Sequence, residues 1–334
     1  MYEKGKAIIF KRPREVEVRE IKFAEMDDET IVIKTKYSGI SIGTEMAVYR
    51  GEAGGEGVWY PCVPGYEEVG EVVYVGKNAP KTNTGETLKV GDRVMANEIR
   101  YYPDYMAAWG GQCEYAIENP KTAPFPMDRP AKIPDNVSYQ EAVVAYLSAV
   151  AKKGIDRVKV YPGETVLVIG MGVIGLSAVQ LAKLYGAGKV IATDILDERL
   201  KLAKKYTEYL VNGSNPKSTR EIFDINDGKQ VDVVIECSGD VSAVNKLFDY
   251  VRPGGRVHLQ GQYRQPIIIT RYARWNCSDL AVTATIAINP GGKEEILKLI
   301  SEGKFDAKSL YTEEMYVEDA PKAYKKLDEN REIL

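Results

Sequence analysis

Three glycines set the terms on which this chain can fold. The run Gly170-Met171-Gly172-Val173-Ile174-Gly175 follows the apolar stretch Val166-Leu167-Val168-Ile169 without a gap and leads into a largely apolar helical segment, Leu176 to Tyr185. In that setting Gly170 permits a tight turn, Gly172 lets a diphosphate approach the backbone, and Gly175 lets helix and strand pack closely, so that free N–H groups and the helix dipole face an anion. A second strand, Lys189 to Thr193, runs into Asp194, nineteen residues beyond Gly175, where a carboxylate meets the ribose hydroxyls of a dinucleotide. A glycine-rich turn without a ligand is the plain alternative, but it leaves the strand, helix and acid without a common reason. The predicted cofactor contacts are therefore Gly170, Gly172, Val173, Ile174, Gly175, Asp194 and Ile195. A carboxylate at 194 repels a ribose 2′-phosphate, which favours NAD over NADP. Arg199 or Lys201 would soften that preference, and Arg199 reads equally well as a solvated helix residue beside Glu198.

The segments around this motif alternate between strand and helix. Helical stretches are expected at Tyr139 to Val150, Asp197 to Tyr206 and Val241 to Val251, with strands at Asp232 to Glu236, Arg256 to Gln260 and Leu280 to Ile286. Such alternation predicts a doubly wound parallel sheet, an α/β fold. The turns Glu236-Cys237-Ser238-Gly239 and Gln260-Gly261-Gln262 end strands of that sheet, so Cys237, Ser238 and Gly261 should flank the ribose and nicotinamide. Cys237 has no base near it in sequence and His258 lies inside a strand, so both read as packing residues. Two helices, Lys293 to Ser301 and Ala320 to Leu327, follow.

Before about Pro134 the pattern is different. Short alternating stretches such as Thr30 to Lys34, Glu68 to Val75 and Val90 to Met95 are broken by glycine and proline, as in a β-rich domain. A loop with Gly51, Gly54, Gly55 and Gly57 ends in Trp59-Tyr60-Pro61 and reads as a surface excursion whose aromatic end could shape a pocket rim. With 334 residues, two domains are expected.

Charge and composition narrow the partners. Lys plus Arg number 45 against 48 Asp plus Glu, a net charge of −3, so there is no basic excess for nucleic acid. The most apolar stretch, Ala142 to Ala151, is about half of what a membrane span needs, and the charged N-terminus lacks a signal-peptide core. A cytoplasmic protein acting on a small-molecule substrate, with neither a nucleic-acid nor a membrane partner, is expected. Four cysteines (Cys62, Cys113, Cys237, Cys277) and one histidine, His258, are scattered singly, which offers little to a zinc site.

Three further motifs resemble the medium-chain dehydrogenases/reductases, over essentially the whole chain. Tyr37-Ser38-Gly39-Ile40-Ser41-Ile42-Gly43-Thr44-Glu45 is similar to that family's Cys-Gly-Ile-Cys-Gly-Thr-Asp segment; Val63-Pro64-Gly65-Tyr66-Glu67 is similar to Val-Pro-Gly-His-Glu; and Val90-Gly91-Asp92-Arg93-Val94 matches Val-Gly-Asp-Arg-Val. The pairing of the first two most resembles the zinc-lacking bacteriochlorophyllide hydroxyethyl dehydrogenase branch. The resemblance implies a GroES-like β-rich catalytic domain over residues 1–145, completed by 286–334, and a Rossmann NAD-binding domain over 146–285. It also implies a homodimer or homotetramer paired through the strand near Leu280 to Ile286. Zinc-bearing members carry Cys, His, and Cys or Glu where this chain has Ser41 or Ile42, Tyr66 and Tyr146, and their relay histidine corresponds to Ala47. No zinc is expected.

Without a metal, something else must take the hydroxyl proton as a secondary alcohol becomes a ketone. The chain has 22 Tyr but 6 Phe, and two tyrosines fall at lost ligand positions. Thr44, Tyr66, Glu67 and Tyr146 are the predicted catalytic set, with Thr44 relaying a proton and one tyrosine as acid/base. A phenol would need a cation or a hydrogen-bond network to act near neutral pH, and Lys152 and Lys153 follow Tyr146. The alternative is that the tyrosines only fill vacated volume. The expected activity is reversible, zinc-independent, NAD-dependent oxidation of a polyol, sugar or sugar acid. Its rivals are NADPH-dependent quinone or enoyl reduction, a bacteriochlorophyllide-like substrate, and nucleotide sensing without turnover.

Overall fold

A computed structural model describes residues 2–52, 57–96, 102–122, 124–126 and 129–333. Gly54 and Gly55 of the glycine-rich loop lie outside the described residues. The chain divides into two compact units: Met1–Tyr146 with Ile288–Gly303 and Tyr311–Leu334, and Leu147–Ala287 with Lys304–Leu310.

The first unit is β-rich. Its strands are β1 (Lys4–Arg12), β2 (Glu15–Lys22), β3 (Ile31–Ser38), β4 (Cys62–Val63), β5 (Glu68–Val75), β6 (Arg93–Met95), β7 (Met106–Ala107), β8 (Tyr115–Glu118) and β9 (Ala131–Lys132). They form a four-stranded sheet ordered β2-β1-β4-β7 and a five-stranded sheet ordered β8-β3-β5-β6-β9. Ile31, Val32 and Ile33 at the start of β3 are fully buried with Val72 of β5 and Val94 of β6, and together they make the apolar heart of the unit. Two short helices, α1 (Thr44–Arg50) and α2 (Tyr139–Val143), belong to this unit.

The helix expected at Tyr139 to Val150 is in fact two. A capping box between Ser138 and Glu141 starts α2, the backbone turns at Val144 (φ −83°, ψ 0°), and α3 (Ala145–Val158) follows. Neither glycine nor proline marks that break, so residue pattern does not reveal it. Conversely α3 runs on through Gly154, a residue that usually weakens a helix. A Cβ at Gly154 would sit 2.0 Å from Gln260 Oε1 and 2.8 Å from His258 Nε2, so close packing on the neighbouring strand explains it.

The second unit is the six-stranded parallel sheet expected from the alternation. Its elements are β10 (Thr165–Ile169), α4 (Val173–Leu184), β11 (Lys189–Asp194), α5 (Asp197–Ala203), β12 (Tyr209–Asn212), α6 (Ser218–Ile225), β13 (Val231–Glu236), α7 (Val241–Tyr250), β14 (Val251–Leu259), α8 (Tyr272–Asn276) and β15 (Ala281–Ala284). The order is β12-β11-β10-β13-β14-β15. Covered on both faces, β10 buries Val166, Leu167 and Val168 completely, which is why it reads as an unbroken apolar run. The strand order reverses between β10 and β13, so the glycine run at the end of β10 lies at the switch point where open α/β sheets bind ligands. Four outlines differ from expectation. The helix after Asp197 stops at Ala203, β12 and α6 stand where no element was expected, β14 begins earlier, at Val251, and β15 is confined to four residues.

Helices α9 (Gly292–Ser301) and α10 (Ala320–Glu329) complete the first unit, with α10 burying Ala320 and Tyr324. Among the described residues no helix is long and apolar enough to cross a membrane.

Candidate active site

In the second unit the glycine run is shaped by contacts that admit no side chain. Gly170 has φ +89°, and a Cβ there would meet Ser238 N at 2.8 Å. A Cβ on Gly175 would overlap Gly170 O at 1.7 Å. Gly172 is the N-cap of α4, so the helix starts at Val173, inside the motif, and Val173, Ile174 and Gly175 form its first turn. That turn presents backbone N–H groups of the kind that bind phosphate.

Asp194, at the end of β11, is 8% exposed and tied to this loop. Its Oδ2 accepts from Met171 N at 2.6 Å and its Oδ1 from Leu196 N at 2.9 Å. Each carboxylate oxygen keeps a further lone pair, which is the acceptor set that ribose hydroxyls require. Ile195 beside it is exposed, Arg199 is half-buried on α5, and Lys201 is paired with Glu198.

The turn after β13 is organised by Glu236, a residue the sequence argument passed over. Its carboxylate accepts from Ser238 N (2.7 Å), Ser238 Oγ, Gly239 N (3.2 Å) and Tyr263 Oη, while its carbonyl accepts from Gly261 N at 2.9 Å. Ser238 and Gly261 are thus brought together around one buried acid. Burial raises the Glu236 pKa, against the pull of those donors. The thiol of Cys237 is pushed well above its ordinary value, first by burial and then by Glu236, so it stays protonated and inert. His258 is fully buried, with Nδ1 2.8 Å from Thr283 Oγ1 and Nε2 3.0 Å from Gln260 Oε1; burial lowers its pKa and keeps it neutral.

In the first unit Thr44, Tyr66, Glu67 and Tyr146 converge. Tyr66 and Tyr146 are each 5% exposed and their rings lie 5.1 Å apart. Burial, then the charge of Glu67, drives the Tyr66 phenol far above its usual pKa, while hydrogen bonds from Ser41 and Thr44 pull it down. Trp109 meets Tyr66 edge-on at 5.4 Å and has a left-handed backbone (φ +68°), a conformation a bulky residue seldom adopts. Lys152 is instead bound to Asp156 (2.8 Å) and Lys153 to the carbonyl of Ile286 (2.7 Å). Ala47, at the relay-histidine position, is buried in α1.

The turn that carries Tyr66 is stapled to residues far along the chain. Gly65 has φ +98°, and a Cβ there would strike Gln112 Cγ at 2.4 Å; Gly111 N donates to Gly65 O and Gln112 N to Pro64 O. Gln112, Glu45 and Tyr324 are the buried polar residues behind this turn that the sequence argument missed. An acid set among Met46, Ala47 and Val48 was the available signal for Glu45.

A β-rich unit of this build, followed by a doubly wound sheet with a dinucleotide turn, defines the medium-chain dehydrogenase class. Residues 27–154 match the family described as alcohol dehydrogenase GroES-like domain, and residues 173–303 that described as zinc-binding dehydrogenase. A probable D-xylulose reductase A of Aspergillus clavatus is 30% identical over 327 residues, covering 92% of this chain and 88% of the relative. The sorbitol dehydrogenase of Bacillus subtilis is 26% identical over 329 residues, covering 95% and 92%. A crystal structure of a short chain alcohol dehydrogenase from E. coli CFT073, complexed with NADH, superposes with a TM-score of 0.83 at 23% identity, covering 99% of this chain and 97% of that one. The chain belongs to the zinc-type alcohol dehydrogenase family and is an oxidoreductase.

The donors present do not fit the metal in that family's description. Zinc takes thiolate, imidazole or carboxylate ligands. Ser41, Tyr66 and Tyr146 offer a hydroxyl and two phenols, and the Tyr66 phenol is held protonated by its burial. Among the described residues no three of His, Cys, Asp and Glu gather in a metal-binding group. A nicotinamide dinucleotide does fit, through the first turn of α4 and the Asp194 carboxylate.

Proposed function

We propose that the protein is a zinc-independent, NAD-dependent dehydrogenase that interconverts a secondary alcohol of the polyol, sugar or sugar-acid class with its ketone. The observation that carries this is the Tyr66 phenol, buried against Tyr146 and Trp109 with the hydroxyls of Ser41 and Thr44 acting on it, at positions where relatives would carry a metal ligand and its surroundings. The polyol relatives support the substrate class, and Asp194 supports NAD over NADP.

The bound nicotinamide supplies the hydride acceptor. Backbone N–H groups of Val173, Ile174 and Gly175 would hold its diphosphate, Asp194 its adenosine ribose, and the turn knitted by Glu236 its nicotinamide end. Tyr66 Oη receives the alcohol proton while its own proton passes to Thr44 Oγ1 and the hydroxyl proton of half-exposed Thr44 passes on to water, so the buried phenol never carries a charge. That concerted exchange suits a phenol whose ionised form burial penalises. Tyr146 and Trp109 wall the Tyr66 ring and keep water from its faces.

The test is reduction of NAD and of NADP, separately, across polyols, sugars, sugar acids and simple secondary alcohols. NAD reduction on a polyhydroxylated substrate is the expected result. Turnover only with NADPH on quinones or enones would replace the reading with a reductase, and tight NADH binding without any turnover would replace it with a sensor.

A further inference from the structure

The first unit contains a buried acid that the mechanism above does not use. Glu45, the second residue of α1, is 1% exposed, and its partners are Ser41 just before the helix and two residues from distant parts of the chain. Gln112 Nε2 donates to Glu45 Oε1 at 2.7 Å, Ser41 N reaches Glu45 Oε2 at 3.4 Å, and the phenol of Tyr324, on α10, is hydrogen-bonded to Glu45 Oε1. Tyr324 Oη also lies 2.6 Å from Gln112 Oε1.

Counting protons decides the state of this cluster. The Gln112 amide cannot be turned over, because its Nε2 also donates to the carbonyl of Gly39 at 3.1 Å, where an oxygen would face an oxygen. Tyr324 Oη therefore contacts two oxygens, Glu45 Oε1 and Gln112 Oε1, and has one proton to give. If it donates to Gln112, the contact with Glu45 needs a proton from Glu45 itself. A neutral Glu45 donates to Tyr324, Tyr324 donates to Gln112, and Gln112 donates back to Glu45: the ring closes with every group satisfied. An ionised Glu45 leaves one oxygen pair facing each other with no hydrogen between them, inside the core, which is costly.

The cluster's outputs lead to the Tyr66 site. Gln112 holds Gly39 through its side chain and the Pro64–Gly65 turn through its backbone, and Ser41, whose N–H points at Glu45, carries one of the hydroxyls that lower the Tyr66 pKa. We propose that Glu45 is a positioning residue, kept as a neutral acid by a proton shared with Tyr324 of the C-terminal helix, and that through Ser41 and Gln112 it sets the hydroxyl geometry at Tyr66. This rests on the Tyr66 reading for its effect on turnover, but the protonation state stands independently.

Burial pushes the Glu45 pKa up to about 8, consistent with that proton count. The other titratable groups beside it hold their protons: Cys62 is pushed up to about 12, and burial raises the Tyr66 and Tyr324 phenols well above their usual values. Glu45 is thus the group of this cluster that titrates as pH rises through about 8.

Infrared difference spectroscopy of the whole protein between pH 7 and pH 9.5, with kinetics of the variants, tests the proposal. The wild type is expected to show the carbonyl band of a protonated carboxylic acid that fades across this range; Glu45→Asp should move the band and Glu45→Gln abolish it. Tyr324→Phe should shift the band and lower kcat roughly tenfold, the cost of about one buried hydrogen bond, with the NADH dissociation constant unchanged. Absence of the band at pH 7 would overturn the neutral acid. A Tyr324→Phe protein with the wild-type band, kcat and pH profile would overturn the positioning role. If the wild type turns over no alcohol, the dehydrogenase reading fails, while the band still decides the state of Glu45.

Discussion

The two halves of the candidate machinery are built on opposite principles. The residues proposed to hold the diphosphate and adenosine ribose in the second unit lie close together in sequence, from Gly170 to Asp194, and their geometry is imposed by backbone: a glycine at φ +89°, a helix start, a strand end. The residues proposed to act on the alcohol in the first unit, with those that position them, are drawn from positions 41, 44, 45, 66, 67, 112, 146 and 324, and their geometry is imposed by packed side chains. A site made from local backbone tolerates chemical variety around it but no added Cβ. A site made from buried side chains tolerates no lost partner.

That contrast predicts different failures. The largest effect should come from Tyr66→Phe, which removes one oxygen and should lower kcat by about 10²–10⁴-fold while leaving NADH affinity within a factor of two or so. Equal turnover in the variant would reduce Tyr66 to filler. Gly175→Val is the complementary change: with Gly170 O at 1.7 Å from the new Cβ, the loop must shift, and about 3 kcal/mol or more of stability should go along with NADH binding. A fluorescence titration showing normal NADH affinity would mean that the loop gives way more easily than its contacts suggest.

The pH dependence of stability sharpens the comparison, because in the first unit it should follow Glu45. With its pKa raised to about 8, Glu45 binds its proton more tightly in the folded protein than in the unfolded chain. Its contribution is fully present below an unfolded pKa of about 4.3 and is lost as pH rises through about 8, at about 1.4 kcal/mol per pH unit within that window. Thermal melts should show Glu45→Gln falling less steeply than the wild type between pH 5 and pH 8; parallel slopes would contradict the raised pKa. The smallest of these effects should follow Asp194→Ala. It removes the carboxylate from Met171 N and from the ribose it is proposed to hold, so the NAD KM should rise about tenfold and discrimination against NADP should narrow. An unchanged cofactor preference would assign the choice to other residues.

The same contrast explains what could be read from the residues alone. The Gly170–Gly175 turn, Asp194 and the parallel sheet were legible because turn, cap and strand preferences act over a few neighbouring residues. Thr44, Tyr66, Glu67 and Tyr146 were reachable only through resemblance to a family, and the structure brings their side chains together. Glu45, Gln112, Tyr324 and Glu236 were not legible: each is a common polar residue whose role comes from partners as many as 279 positions away, as between Tyr324 and Glu45. The break at Val144 and the helix through Gly154 escaped for the same reason, since tertiary packing overrides local preference at both.

The central claim is that a buried phenol, and not a metal, handles the alcohol proton. The measurement that tests it most directly is turnover with NAD after exhaustive chelation, with metal content determined on the same sample, for wild type and Tyr66→Phe side by side. The account predicts undiminished turnover in metal-free wild type and its collapse in Tyr66→Phe. Activity that vanishes on chelation and returns with stoichiometric zinc, in the variant as in the wild type, would contradict it.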